Sequence, residues 1–269
     1  MRSPLLFLLL APLAFPQPAW AQEAPAAAPA TPPADGSSPE ALPDVRTLLT
    51  ALDENMTFDT RRARMKMVVE GKRRTRTFEM ISYGRGEEDS AIEYLSPRRE
   101  KGTRMLKLGD ELWLFMPSVD RVQKVSGHML RQGMMGSDLS YEDMMSSREL
   151  ADRYDAKITG QETLDGEPCW VIELKAKDPE LTYPKRVTWV QKSTRIPVKQ
   201  ELYALSGMLL KTWTMSDVKT FEGGRRFPTK MEIRDHVNTK SVTRVEFTEL
   251  EFKVSLPEEV FSLRWLERR

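Results

Sequence analysis

A single cysteine, Cys169, stands among 269 residues. A lone thiol excludes an internal disulfide and a cysteine-rich metal site, and with Trp170 and Val171 beside it Cys169 is expected to be buried. Histidine is almost as scarce, with only His128 and His236. There is no H-E-x-x-H, no metal-ligand cluster and no G-x-S-x-G, so the zinc-peptidase and nucleophile-elbow signatures are missing. Gly84-Arg85-Gly86 is two glycines in a turn rather than a phosphate-binding loop. Neither sign of charge is in excess: 41 Lys and Arg face 40 Asp and Glu, which gives no basic footprint for nucleic acid. No helical stretch separates successive strand-like segments, so the parallel crossovers of an α/β fold are missing too.

The one sustained apolar run is N-terminal and too short for a membrane span. Arg2 is followed by Leu5 to Leu10 and Ala11 to Phe15, then by the small-x-small triplet Ala19-Trp20-Ala21 before Gln22. Residues 1–21 therefore read as a secretory signal peptide, cleaved near Ala21. No cysteine follows the cut, so no lipoprotein anchor is expected. Residues 22–42 are rich in Ala, Pro and Ser, cannot bury a core, and are expected to be a disordered tether. The folded domain is placed at 43–269. It is expected to be periplasmic, soluble after signal-peptide cleavage, and a monomer.

Within that domain one amphipathic helix is expected over Pro43 to Met56, where Val45, Leu48, Leu49 and Leu52 fall at helical spacing. Strand-like alternation follows. In Arg62 to Val69, Ala63, Met65, Met67 and Val69 share one face and Arg62, Arg64 and Lys66 the other. Tight turns at Gly71, Gly109-Asp110, Asp165-Gly166, Ser206-Gly207, Gly223-Gly224 and Asn238-Thr239 divide the rest. Alternation in Ser241 to Val254 slips near Glu249-Leu250, as a β-bulge would cause. About ten or eleven antiparallel strands are expected, in a mainly β fold. A single sheet of that length must curl on itself, and an incompletely closed one leaves an apolar cavity.

The most informative stretch runs from Thr103 to Ser147. Its first half is a hairpin whose second strand, Leu112-Trp113-Leu114-Phe115-Met116, is apolar on both faces and must be covered on both. Pro117 ends it. The second half breaks the β rhythm and holds Met129, Met134, Met135, Met144 and Met145, five of the 15 methionines. Methionine suits irregular or changing apolar partners. With Gly127, Gly133 and Gly136 between them, this segment reads as a pliable flap over the sheet. Trp113, Phe115, Met116, Met129, Met134, Met135, Met144 and Met145 are the candidate lipid-binding residues. Each buried methylene contributes about 0.8 kcal/mol, so one long acyl chain would gain around ten kcal/mol against water. No catalytic or metal-binding residue and no cofactor is expected. A lipid hydrolase pairing His128 with Ser126 or Ser137 and Asp138 or Asp143 is the enzymatic alternative, because a triad is recognised by geometry.

The blocks Leu112-Trp113-Leu114-Phe115-Met116-Pro117 and Gly133-Met134-Met135-Gly136-Ser137-Asp138-Leu139-Ser140-Tyr141-Glu142-Asp143 resemble the outer membrane lipoprotein-sorting proteins of Gram-negative bacteria. This is a LolA-like family in the broader sense rather than LolA itself. The resemblance implies an unclosed (half) β-barrel with a short helical lid, LolA/LolB-like, over a lipid-binding cavity. It also implies partners: the acyl chains of a lipoprotein or lipid, an inner-membrane ABC or RND-type transporter, and an outer-membrane receptor. The expected role is carriage between the inner-membrane exporter and the outer membrane. The alternative is a docking accessory of such a transporter, with a side-chain-filled interior and no cargo of its own.

Overall fold

In the computed structural model, residues 42–145, 150–237 and 241–268 are described. The expected signal peptide, nearly all of the tether, and the turn at Asn238-Thr239 lie outside them. Thirteen strands form one antiparallel sheet: β1 (Thr60–Gly71), β2 (Thr75–Arg85), β3 (Asp89–Ser96), β4 (Arg104–Leu108), β5 (Glu111–Met116), β6 (Arg121–Val125), β7 (Tyr154–Leu164), β8 (Glu167–Ala176), β9 (Lys185–Gln191), β10 (Pro197–Tyr203), β11 (Leu209–Thr220), β12 (Arg226–Asp235) and β13 (Ser241–Phe252). The total exceeds the ten or eleven expected. The spatial order is β6-β5-β4-β3-β2-β1-β13-β12-β11-β10-β9-β8-β7. Every neighbour except β1–β13 is also a neighbour in sequence, and that one pairing joins two consecutive runs of hairpins into a continuous sheet.

β6 and β7 are the two edges and do not pair, so the curl stays open. Their exposed residues are mostly charged or polar, among them Arg121, Gln123 and Lys124 on β6 and Lys157, Gln161 and Glu162 on β7. Such side chains blunt an edge against further pairing. In β13 the register with β1 jumps between Phe247 and Glu249, opposite Met65 and Arg64. The bulged residue is Thr248, one position from where the alternation slips in the sequence.

Alternation then assigns the faces. Ala63, Met65, Met67 and Val69 of β1 point to the concave side with Phe78 and Met80 of β2, Tyr94 of β3, Met105 of β4, Leu112 and Leu114 of β5, and Val245 of β13. At the other end of the sheet, Trp170, Ile172 and Leu174 of β8 and Val190 of β9 meet Leu48, Leu49 and Leu52 of α1 (Val45–Met56). α1 starts two residues later than Pro43 because Asp44 is its N-cap, accepting from the Thr47 amide at 2.8 Å. With Leu150 and Ala151 of α3 (Leu150–Arg153) packed against the same cluster, α1 roofs one half of the concave face.

The convex side of β3–β5 is covered separately. Ala91, Leu106 and Phe115 are buried under Val260 and Phe261 of a 3-10 turn and Trp265 and Leu266 of α4 (Leu263–Leu266). β5 is therefore sandwiched, as its two apolar faces demand. Leu266 is fully buried there. Leu266→Ala should lower the unfolding free energy by about 2–4 kcal/mol, read by urea denaturation followed by tryptophan fluorescence.

Candidate functional site

The segment Gly127–Met145 lies across the other half of the concave face. It consists of 3-10 turns at Gly127–Arg131 and Met134–Gly136 followed by α2 (Tyr141–Met145). Its apolar side chains point into the sheet: Met134 and Tyr141 are buried there, and Met129, Met135, Leu139, Met144 and Met145 pack against the same cluster. Met116 joins them from β5. Trp113 and Phe115 do not. They alternate with Leu112, Leu114 and Met116, so they face outward into the layer under α4. Their expected place in the cavity wall is corrected by strand parity.

The segment's polar side chains tie it to the sheet. Asp138 accepts from Ser241 Oγ at 2.7 Å and Thr243 Oγ1 at 2.6 Å, both on β13, while its own amide donates to Thr243 Oγ1 at 2.8 Å. Arg76 of β2 donates to the Met135 and Gly136 carbonyls at 2.6 and 2.8 Å. Asp143 is the third tie. Its carboxylate pairs with Lys211 of β11 at 2.5 Å and accepts from the Tyr183 hydroxyl at 2.6 Å. It also accepts from the Ser140 amide and hydroxyl at 2.7 Å each, while Ser140 Oγ accepts from the Asp143 amide. Ser140 and Asp143 so form a capping box that starts α2. Their side chains expose 1% for Asp143 and 9% for Lys211. A buried pair is favourable only when its remaining lone pairs are satisfied, and this one meets that condition.

The glycines of this segment hold shape. A Cβ on Gly133 would stand 2.1 Å from the Ser137 carbonyl oxygen, and Gly136 has φ 67 beside Met135 at φ 49. The loop is a tight crossing, closed by hydrogen bonds from Met134 N to Leu139 O and from Ser137 N to Met134 O. The expected pliable flap is thus a pinned strap. Asp138, Asp143, Lys211, Arg76 and Tyr183 escaped the sequence reading of the strap, because ties between distant strands carry no local pattern.

Beneath the strap and α1 the concave face is not filled. One cavity of about 240 Å³ is lined by Met65, Met67, Met80, Met134, Met144 and Met231, with Phe247 and Trp213, and has a polar margin that includes Arg61, Ser82, Asp89 and Lys107. A second, of about 200 Å³, lies below α1 and is lined by Leu52, Met56, Leu202 and Met215 together with polar groups. Asp143, Trp213 and Met231 border both. The hydrolase alternative finds no assembled triad. His128 is exposed and makes no hydrogen bond to Ser126, Ser137, Asp138 or Asp143 among the described residues. The Ser137 hydroxyl instead bonds the Leu139 backbone.

A family model described only as an uncharacterized-protein family matches residues 86–268. The chain belongs to that family, and its fold is LolA-like. The fold is shared with a DUF1329 family protein from Desulfovibrio piger (24% identity, TM-score 0.76, covering 82% of this chain and 97% of that one). It is shared likewise with a putative outer membrane lipoprotein-sorting protein domain from Vibrio parahaemolyticus (24%, 0.74, 83% and 98%). A LolA superfamily protein from Nitrosomonas europaea matches at 26% identity with a TM-score of 0.67, over 83% of this chain and 100% of that one. No curated protein matches. Among the described residues of this LolA-like chain no helix is long and apolar enough to cross a membrane.

Two predictions follow from the strap's chemistry. Asp143→Asn leaves Lys211 buried without its carboxylate and should cost about 3–5 kcal/mol. The loss is read by urea unfolding, with faster amide exchange across residues 134–145, and Asp143→Asn with Lys211→Met should recover part of it. The second concerns alkali. Burial pushes the Tyr94, Tyr141 and Tyr183 phenols up, Tyr183 further through the Asp143 carboxylate, and Tyr203 is pushed up to about 12 by burial and Glu201. Folded values above the unfolded value of about 10 mean that the neutral phenols stabilise fully below pH ~10 and that this stability is lost above it. Tm should hold up to that pH and fall beyond it, with part of the tyrosinate absorbance at 295 nm appearing only as the protein unfolds.

Proposed function

We propose that the protein is a periplasmic carrier that takes the acyl chains of a lipid or lipoprotein into its half-barrel and moves them between an inner-membrane exporter and the outer membrane. The observation that carries this reading is the unfilled, methionine-lined cavity under the strap. Six thioether side chains around one void form a wall that can repack around a chain of variable length. The strap adds a second support, since polar ties at Met135, Gly136, Asp138 and Asp143 fix its position over the compliant methionine contacts. Breaking a few hydrogen bonds and one ion pair would open it as a unit. An accessory without cargo calls for a packed interior, so the voids favour the carrier. An ABC or RND-type transporter as donor and an outer-membrane receptor as acceptor fit the same role.

Native mass spectrometry of protein purified gently from periplasm tests it, with the organic extract analysed in parallel. A reproducible adduct containing an acyl chain is expected. Met144→Asp, which puts a carboxylate into the cavity wall, should stay folded by circular dichroism and lose that adduct. A clean apo mass that persists after incubation with membrane lipids would remove the carrier reading.

A further inference from the structure

The cavity below α1 presents hydrogen-bond donors with nothing to bind. Thr188, Gln200 and Trp213 stand opposite one another on β9, β10 and β11. They form a polar row across the concave face, and all three line the cavity. Thr188 Oγ1 and Trp213 Nε1 are buried and have no partner among the described residues. The same holds for Nε of Arg186, two residues before Thr188 on the same face of β9. Thr188 itself is only 1% exposed. Buried polar groups are paired in the great majority of native structures, and an unpaired one is costly. Three around one void point to an occupant with acceptor atoms.

Arg186 gives the charge of that occupant. Its guanidinium lies over the rings of Tyr154 at 4.9 Å and Tyr183 at 5.5 Å, which hold it in place. Among the described residues no carboxylate pairs with it. The two carboxylates that border the cavity are engaged elsewhere: Asp143 with Lys211, Ser140 and Tyr183, and Asp53 with the Leu150 amide at 3.2 Å.

We infer that this cavity is a headgroup site for an anionic amphiphile. It takes a carboxylate or phosphate oxygen against Arg186, Thr188 and Trp213 while the hydrocarbon passes Met231 into the methionine-lined cavity. The inference rests on the carrier reading and adds the chemical class of the cargo. Arg186 contributes a charge-assisted bond, the indole N–H a second donor and the Thr188 hydroxyl a third. A cationic or purely hydrocarbon ligand would leave all three unpaired.

Isothermal titration of the mature protein tests it, using dodecanoate, dodecyl phosphate, dodecanol and dodecyltrimethylammonium below micelle-forming concentration, and inorganic phosphate alone. The two anionic amphiphiles are expected to bind at least roughly tenfold more tightly than dodecanol, the margin of one charge-assisted hydrogen bond. In Arg186→Gln the dodecanoate-to-dodecanol ratio should collapse to near one, and Arg186→Lys should keep part of it. Thr188→Val should weaken the anions while raising Tm, because it removes an unpaired buried hydroxyl, and a purely structural residue would not move both. Equal affinity for dodecanoate and dodecanol, or a preference that survives Arg186→Gln, overturns the headgroup site and leaves the carrier standing. Failure of all four amphiphiles to bind overturns the carrier and the site together. Inorganic phosphate binding as tightly as dodecyl phosphate overturns the amphiphile and assigns the site to a free anion.

Discussion

A single antiparallel sheet has two faces, and among the described residues no second sheet covers either. In a sandwich the two inner faces fill each other, side chain between side chain. In this chain the described cover of the concave face of thirteen strands is α1 and the four-residue α3 at one end and a strap of 3-10 turns and a five-residue helix at the other. That cover is too slight to fill the curl. The voids, the methionines around them and the polar ties of the strap all follow from one shortage, that of partner surface. The convex side has less to hide and is closed by the last turns of the chain over β3–β5.

The strap answers the shortage with two chemistries on opposite sides of one segment. Inward, Met134, Met144 and their neighbours make apolar contact that is broad and weakly directional. From its middle and its C-terminal end, Asp138 and Asp143 make hydrogen bonds of fixed geometry to β13 and β11. Directional bonds define where the strap sits, and compliant side chains leave open what sits beneath it. Had the strap been held by interdigitated Leu and Phe, position and filling would be the same property and the interior would be dense.

Much of this was legible in the chain. The hairpin at Gly109-Asp110, the two-sided strand Leu112 to Met116, the helix expected over Pro43 to Met56 and the bulge in β13 rest on local chemistry: a turn, a period of two, a helical spacing, a slip in alternation. The faces of β5 were not legible, because Trp113 and Phe115 are as apolar as Leu112 and Leu114, and only the strand's parity within the sheet separates them. The glycines misled for a similar reason. Gly133 carries no side chain because the Ser137 carbonyl lies where one would go, and in sequence a close crossing looks the same as a hinge. The row Thr188, Gln200, Trp213 is spread over 26 positions of chain and three strands, so no window of sequence contains it.

The pairing of β1 with β13 has a consequence in time as well as in space. The first and last strands of the domain are neighbours at the middle of the sheet, so each half can zip up from hairpins while the seam between them waits for the end of the chain. Contacts of such sequence separation are slow to form, because the entropy of closing the long loop is lost before the contacts reward it. Met65, Met67, Phe247 and Met231, which line the larger cavity, come from both sides of that seam. The cavity therefore comes into being with the last strand, and a chain emerging N-terminus first cannot enclose a ligand until its whole length has been delivered.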